Sequence, residues 1–235
     1  MDSEFSTRPL MALLESGVTV RAVVKPVGGV GLRRTNFATR VPSLVTRFKE
    51  GCAGLLRPGP AAGTSQPARS TDDTVPEDPF VVADAARIPC IVVGDASGSR
   101  SLRILKRLEA DVYCIAFFNQ LLRRTCLALP RLGAMNLHPS LLPAYRGPSP
   151  LFWTFKDALP QTGLTLHLLS PGEDDGDILE QEVVPVTDGM RGTELLAGMA
   201  RLGARMMTRA VWDVTQGRAQ PRPQDHARAT RHARP

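Results

Sequence analysis

No uninterrupted apolar run approaches eighteen residues, so the chain offers nothing that reads as a membrane-spanning helix. Met1 is followed by acidic and polar residues, with neither a basic start nor an apolar core, so no secretory signal peptide is evident. Cysteine is scarce: Cys52, Cys90, Cys114 and Cys126 show no metal-ligand spacing, and no metal site is expected. They sit mostly within apolar runs and read as reduced, largely core residues of a cytoplasmic protein. A complete phosphate loop is lacking too. Gly28-Gly29-Val30-Gly31 has no Lys-Ser or Lys-Thr ending and does not clearly open a helix, so it reads as a plain turn.

What remains is enough for a globular protein. At 235 residues and 43% hydrophobic content the chain can bury a substantial core. The net charge is +6, much of it in residues 33–57 and 218–234, while residues 173–177 are acidic. That balance is compatible with an anionic substrate such as tRNA or a nucleotide, without identifying one.

Residues 7–17 have a capping Thr, an early Pro and a terminal Gly, and read as a helix feeding a strand at 18–24. Residues 41–48 could be amphipathic, and 51–78, rich in Gly, Pro, Ala and Ser, read as a flexible loop or insertion. A short helix at 80–86 and a buried strand at 88–93 follow. Residues 99–109 place Leu102, Ile104, Leu105 and Leu108 largely on one helical face. The apolar run 112–118 reads as a buried parallel strand, 119–129 as helix and 134–138 as strand. A helix begins near Pro150, with Trp153 and Phe155 assigned to the core. Residues 162–169 alternate like an exposed edge strand, with His167 read as structural; 178–186 are strand-like. The strongest amphipathic helix spans 191–214. Strands alternating with helices imply an α/β fold with a doubly wound, mostly parallel sheet. Residues 1–217 read as one domain and 218–235 as a basic, mobile tail.

The stretch that organises the rest is Asn136-Leu137-His138-Pro139-Ser140-Leu141-Leu142-Pro143-Ala144-Tyr145-Arg146-Gly147. It reads as a strand breaking into a turn that Pro139 and Pro143 make rigid. Asn136 and His138, two apart, project from one face, joining an amide donor to an imidazole that titrates near neutrality. That pairing suits stabilising an oxyanion and moving a proton. Ligands of such sheets bind outside the carboxyl ends of the strands, where the corner at 117–119 also lies. A second feature, Glu173-Asp174-Asp175-Gly176-Asp177, sets carboxylates around a glycine. Alone, the first stretch reads more often as a structural or solvated histidine in a loop than as a catalyst, and the second is equally a solvated turn.

Together they resemble the formyltransferase family that uses 10-formyltetrahydrofolate. Its signature is Asn-x-His-(Pro/Gly)-Ser-Leu-Leu-Pro-x-(Tyr/Trp)-Arg-Gly with a later Asp-x-Gly-(Asp/Pro), and this chain carries both in order. The likeness covers roughly residues 3–224 and is weakest over 51–78. It implies a Rossmann-like sheet and transfer of a formyl group from 10-formyltetrahydrofolate to a primary amine, without a metal. By the same resemblance Asn136, His138 and Asp174 are catalytic; counting back from Gly176 selects Asp174 over Asp175. Ser140, Leu141, Leu142 and Pro143, with Phe118, Gln120 and Leu121, would contact the folate. Tyr145 and Arg146 would lie on the acceptor side.

In that family a buried strand and a Gly-bearing turn precede the first helix, so the expectation is that the natural protein begins upstream of Met1. The acceptor stays open between initiator methionyl-tRNA and a small amine such as an amino-sugar nucleotide or glycinamide ribonucleotide. A non-catalytic folate-binding module is the remaining alternative.

Overall fold

Helix α1 (Glu4–Glu15) opens the fold and buries Phe5, Leu10 and Leu13. The computed structural model describes residues 4–27, 75–76 and 78–235; the readings made for 28–48 and for most of 51–78 lie outside them. Strand β1 (Val23–Pro26) pairs in parallel with β2 (Cys90–Val93). Between them comes α2 (Pro79–Ala85), whose first turn is capped by Asp78; the same carboxylate takes Lys25 Nζ at 2.7 Å. Helix α3 (Ser99–Arg107) leads to β3 (Tyr113–Ala116), and α4 (Arg124–Leu127) to β4 (Ala134–His138). After α5 (Pro150–Lys156), β5 (Gln161–Leu168) and β6 (Ile178–Pro185) form a hairpin, and α6 (Gly192–Thr215) closes the set.

The α/β class and the order of elements are as the sequence implies. Within that class the described strands form two ladders, β1–β2 and β3–β4–β5–β6. Both β1–β2 and β3–β4 are parallel, but β5 runs antiparallel to β4 and to β6. No ladder joins β1 to β3 among the described residues.

Strand β5, expected at an edge, lies between β4 and β6 and is buried over most of its length. Its Leu164 and Leu166 meet Met135 and Leu137 of β4 and the apolar stripe of α6, chiefly Leu195, Met199, Met206 and Met207. Helix α6 sits this close because of Gly203, where a Cβ would lie 2.8 Å from Leu137 Cδ1. Since alternate residues of a strand face opposite ways, burying Met135 and Leu137 against α6 turns Asn136 and His138 to the other face.

Other elements also depart from expectation. Only Arg124–Leu127 of the 119–129 stretch is helical, because Gln120 is occupied with the backbone after β2. Its Oε1 accepts from Ala96 N at 2.9 Å and its Nε2 donates to Gly94 O at 2.7 Å. Of the described cysteines Cys126 is buried, whereas Cys114 is exposed. Trp153 and Phe155, assigned to the core, are half-buried and exposed. Trp153 instead donates from Nε1 to Ala233 O at 3.1 Å and carries Lys156 Nζ over its ring.

The tail, read as mobile from its Pro and Arg content, lies across the Pro143–Gly147 turn. Thr230 N donates to Pro143 O and Thr230 O accepts from Arg146 N, while His232 N donates to Arg146 O. His232 also stacks on Tyr145 with ring centroids 4.6 Å apart and planes within 7°. These bonds satisfy backbone groups of the turn that the strands leave unpaired, which composition alone does not reveal.

Candidate active site

Three strand-borne side chains and one loop carboxylate converge at the carboxyl end of β4. The antiparallel pairing of β4 and β5 sets Asn136 opposite His167 and His138 opposite Thr165. Asp174 arrives from the β5–β6 connection with φ of 51°, in the left-handed region that a non-glycine residue seldom occupies. Gly176 makes the connection possible: a Cβ there would lie 1.9 Å from Leu168 O, so the chain passes only without a side chain. Across the gap, Gly147, with φ of 94°, donates its N–H to Asp174 Oδ2 at 3.0 Å.

The carboxylate sits between two buried imidazoles. His138 Nδ1 is 3.5 Å from Asp174 Oδ2 and His167 Nε2 is 3.6 Å from Oδ1. These are ion-pair separations, too long for good hydrogen bonds. His138 Nε2 lies 2.9 Å from Tyr145 O, and a carbonyl only accepts, so that nitrogen carries a proton and Nδ1 faces the carboxylate. His167 Nδ1 is 2.9 Å from Leu168 O and is assigned its proton by the same logic. His167 Nε2 is then the acceptor for Asn136 Nδ2 at 3.3 Å. This bond orients the Asn136 amide and leaves its second N–H for another partner.

Burial pushes the His138 pKa down, against the upward pull of Asp174 and of the Tyr145 carbonyl, and the net shift is downward. Asp174 therefore pulls the His138 pKa upward, but desolvation outweighs it. For Asp174 burial would raise the pKa; the neighbouring His167, His138 and Gly147 N–H overcome that and hold the carboxyl at about 2. Both groups then make the fold less stable in acid. His138 has a folded pKa below 6.5, so its contribution is present above 6.5 and fades as pH falls through the lower value. The Asp174 contribution is present above 3.8 and fades toward 2. Urea denaturation across pH is expected to show stability dropping below pH 6.5, with that first drop flattened in His138→Gln; an unchanged slope would contradict the assignment.

The other expected site residues divide. Ser140 and Leu142 are buried and hold the turn itself: Ser140 Oγ donates to Ala144 O at 2.8 Å, and Leu142 N donates to Thr165 Oγ1 at 3.2 Å. The Leu142-Pro143 peptide is cis. Leu141 lies so close over Gly163 that a Cβ there would be 2.2 Å from its Cδ2. Phe118 packs against the second apolar cluster, with Leu105 and Cys126, while Gln120 serves the backbone after β2. Leu121 is 62% exposed and its neighbour Phe117 56%, leaving apolar surface at the end of β3. Arg146 is engaged internally, by Gln224 Oε1 at 2.6 Å and His226 Nδ1 at 3.0 Å, rather than free for an anion. Tyr145 donates its hydroxyl to Asp157 Oδ2 at 2.9 Å.

His167, structural by its sequence, lies beside Asn136 and Asp174. Its position two residues after Thr165 was the available signal, but only the pairing of β5 with β4 shows that this face meets Asn136.

An α/β fold that gathers an amide, an imidazole and a carboxylate at the carboxyl end of a central strand carries groups suited to moving a proton and steadying a developing oxyanion. A family model described as formyl transferase matches residues 72–211, and the chain belongs to that family. It is 34% identical over 165 residues to the methionyl-tRNA formyltransferase of Chloroflexus aurantiacus, covering 70% of this chain and 53% of that protein. It is 39% identical over 129 residues to the methionyl-tRNA formyltransferase of a Synechococcus strain, covering 55% and 40%. The chain thus spans about half the length of the curated relatives it matches. Among solved structures, glycinamide ribonucleotide transformylase 1 from Symbiobacterium toebii shares the fold, with a TM-score of 0.56 and 24% identity over 63% of this chain and 75% of that one. So does an N-formyltransferase from Helicobacter canadensis in complex with folinic acid and dTDP-3-aminofucose, with a TM-score of 0.53 and 17% identity over 66% and 54%.

Proposed function

We propose that the protein transfers a formyl group from 10-formyltetrahydrofolate to a primary amine, with methionyl-tRNA as the acceptor. The observation that carries the reading is the Asp174 carboxylate 3.5 Å from His138 Nδ1, on the face of β4 that also bears Asn136. In this reaction the amine nitrogen bonds to the formyl carbon, the bond from that carbon to the folate nitrogen breaks, and a proton moves from the amine to the folate nitrogen. Asn136 supplies the N–H that His167 leaves unused to the oxygen on which negative charge develops. His138, favoured as the neutral ring by its burial, takes the amine proton at Nδ1, and the resulting imidazolium is stabilised by Asp174. The same ring returns the proton to the leaving nitrogen. The exposed Phe117 and Leu121 offer a flat apolar wall of the kind a pterin ring favours.

The acceptor rests on the curated relatives, which are methionyl-tRNA formyltransferases. Purified protein, 10-formyltetrahydrofolate and a pool of aminoacyl-tRNAs and metabolites are expected to yield formylmethionyl-tRNA, detected as the mass gain of one formyl unit. Formylation of an amino-sugar nucleotide or glycinamide ribonucleotide instead would reassign the acceptor. Folate binding without transfer to any amine would reduce the protein to a binding module.

A further inference from the structure

Beyond the residues that face the reacting groups, Gln224 has an unusual set of partners. Its side chain is almost fully buried, at 5% exposure, and its Nε2 donates to two carbonyls of the loop that carries the carboxylate: Asp174 O at 2.9 Å and Gly176 O at 2.7 Å. Its Oε1 accepts from Arg146 Nε at 3.2 Å and Nη2 at 2.6 Å. Both amide hydrogens and the oxygen are therefore used, and only an amide can serve here. A carboxylate cannot donate to two carbonyls, and an ammonium or guanidinium cannot accept from Arg146. The backbone beside Gln224 is itself fixed, because Arg222 and Ile178 exchange hydrogen bonds at 2.8 and 2.9 Å.

Consider what those contacts hold. Asp174 keeps a positive φ of 51° in its loop, a conformation that must be sustained by its surroundings. Its carboxylate takes one hydrogen bond from Gly147 N, which follows Arg146 directly. Gln224 joins the two sides: through Arg146 it grips the turn that supplies the N–H, and through the two carbonyls it grips the loop that supplies the carboxylate. We propose that Gln224 is a positioning residue that sets the Asp174 carboxylate against His138 by tying the Asp174–Gly176 loop to the Tyr145–Gly147 turn.

The proposal rests on the formyl-transfer reading for its catalytic consequence but not for its structural one, so two readouts separate them. The charged and titratable groups facing His138 are Asp174 and Glu173 from the β5–β6 loop and His167 from β5, with the Tyr145 carbonyl from the turn. In Gln224→Met the loop is released and the carboxylate withdraws. The NMR titration midpoint of the His138 ring is then expected to fall below that of the unsubstituted protein. The kcat for formyl transfer is expected to fall roughly 10- to 100-fold, the usual effect of misplacing a catalytic group by about an ångström. KM for the formylfolate stays within about twofold. Gln224→Asn, which keeps an amide on a shorter stem, gives shifts of the same sign and smaller size, and serves alone if the Met variant does not fold. An unmoved His138 midpoint would overturn the proposal, whether kcat is unchanged or falls together with the melting temperature. Should the unsubstituted protein transfer formyl to no amine, the formyl-transfer reading fails, while the His138 midpoint still decides the part played by Gln224.

Discussion

Replacing Asp174 by Asn is expected to lower kcat by about 10²- to 10⁴-fold, the range in which a positioned proton-transfer group contributes. Replacing its neighbour Asp175 by Asn is expected to leave turnover within about twofold, as for substitutions away from the reacting groups. The two carboxylates are adjacent in sequence but not in role. Asp174 reaches toward both imidazoles and takes the Gly147 N–H, whereas Asp175 accepts from Ser170 Oγ within its own loop and is not among the groups that perturb His138. An Asn at 174 still accepts the Gly147 N–H through its carbonyl oxygen, so the loop keeps its anchor while the charge is lost. Single-turnover kinetics on the two variants check this. Full activity in Asp174→Asn, or loss in Asp175→Asn, would show that the register drawn from Gly176 is wrong.

The second large effect belongs to Asn136. Asn136→Ala is expected to reduce kcat by about 10²- to 10³-fold, or roughly 2.7–4 kcal/mol, the cost of removing one preorganised donor to a developing oxyanion. Because the donor acts on charge that appears only in the transition state, kcat and kcat/KM should fall together, with KM little changed. A rise in KM at constant kcat would instead mean that Asn136 merely binds the ground state. The fold is expected to lose about 1–3 kcal/mol as well, since the change leaves one nitrogen of the fully buried His167 without its donor.

Much of the candidate site was legible because the residues proposed for its chemistry lie close in sequence. Asn136 and His138 lie two apart on a strand whose apolar alternation could be read directly, and Gly176 marked the register of Asp174. The strand and helix order was legible for the same local reason. What escaped depends on pairing between distant segments. His167 looked structural until β5 was seen beside β4, and β5 looked like an edge until β6 covered it. Strand β1 was expected at 18–24 but forms at Val23–Pro26, because its ladder partner, Cys90–Val93, sets where it begins and ends. The tail misled most. Its Pro and Arg content reads as mobile, yet Gln224 meets the Arg146 side chain, and Thr230 and His232 meet the backbone and the Tyr145 ring of the Pro143–Gly147 turn.

The irregularity between Leu166 and His167 shifts the pairing of β5 with β6 while leaving β5 in step with β4, whose register is fixed by the buried leucines. A slip of one residue there would turn the His167 ring toward the α6 side and bring a leucine opposite Asn136. Such a chain would lose the acceptor that aligns the Asn136 amide and, in the same step, turn Leu164 and Leu166 away from α6. The threading of β4 past β5 that packs the leucines is thus the same threading that assembles the polar face, so the site cannot be mispaired without opening the core.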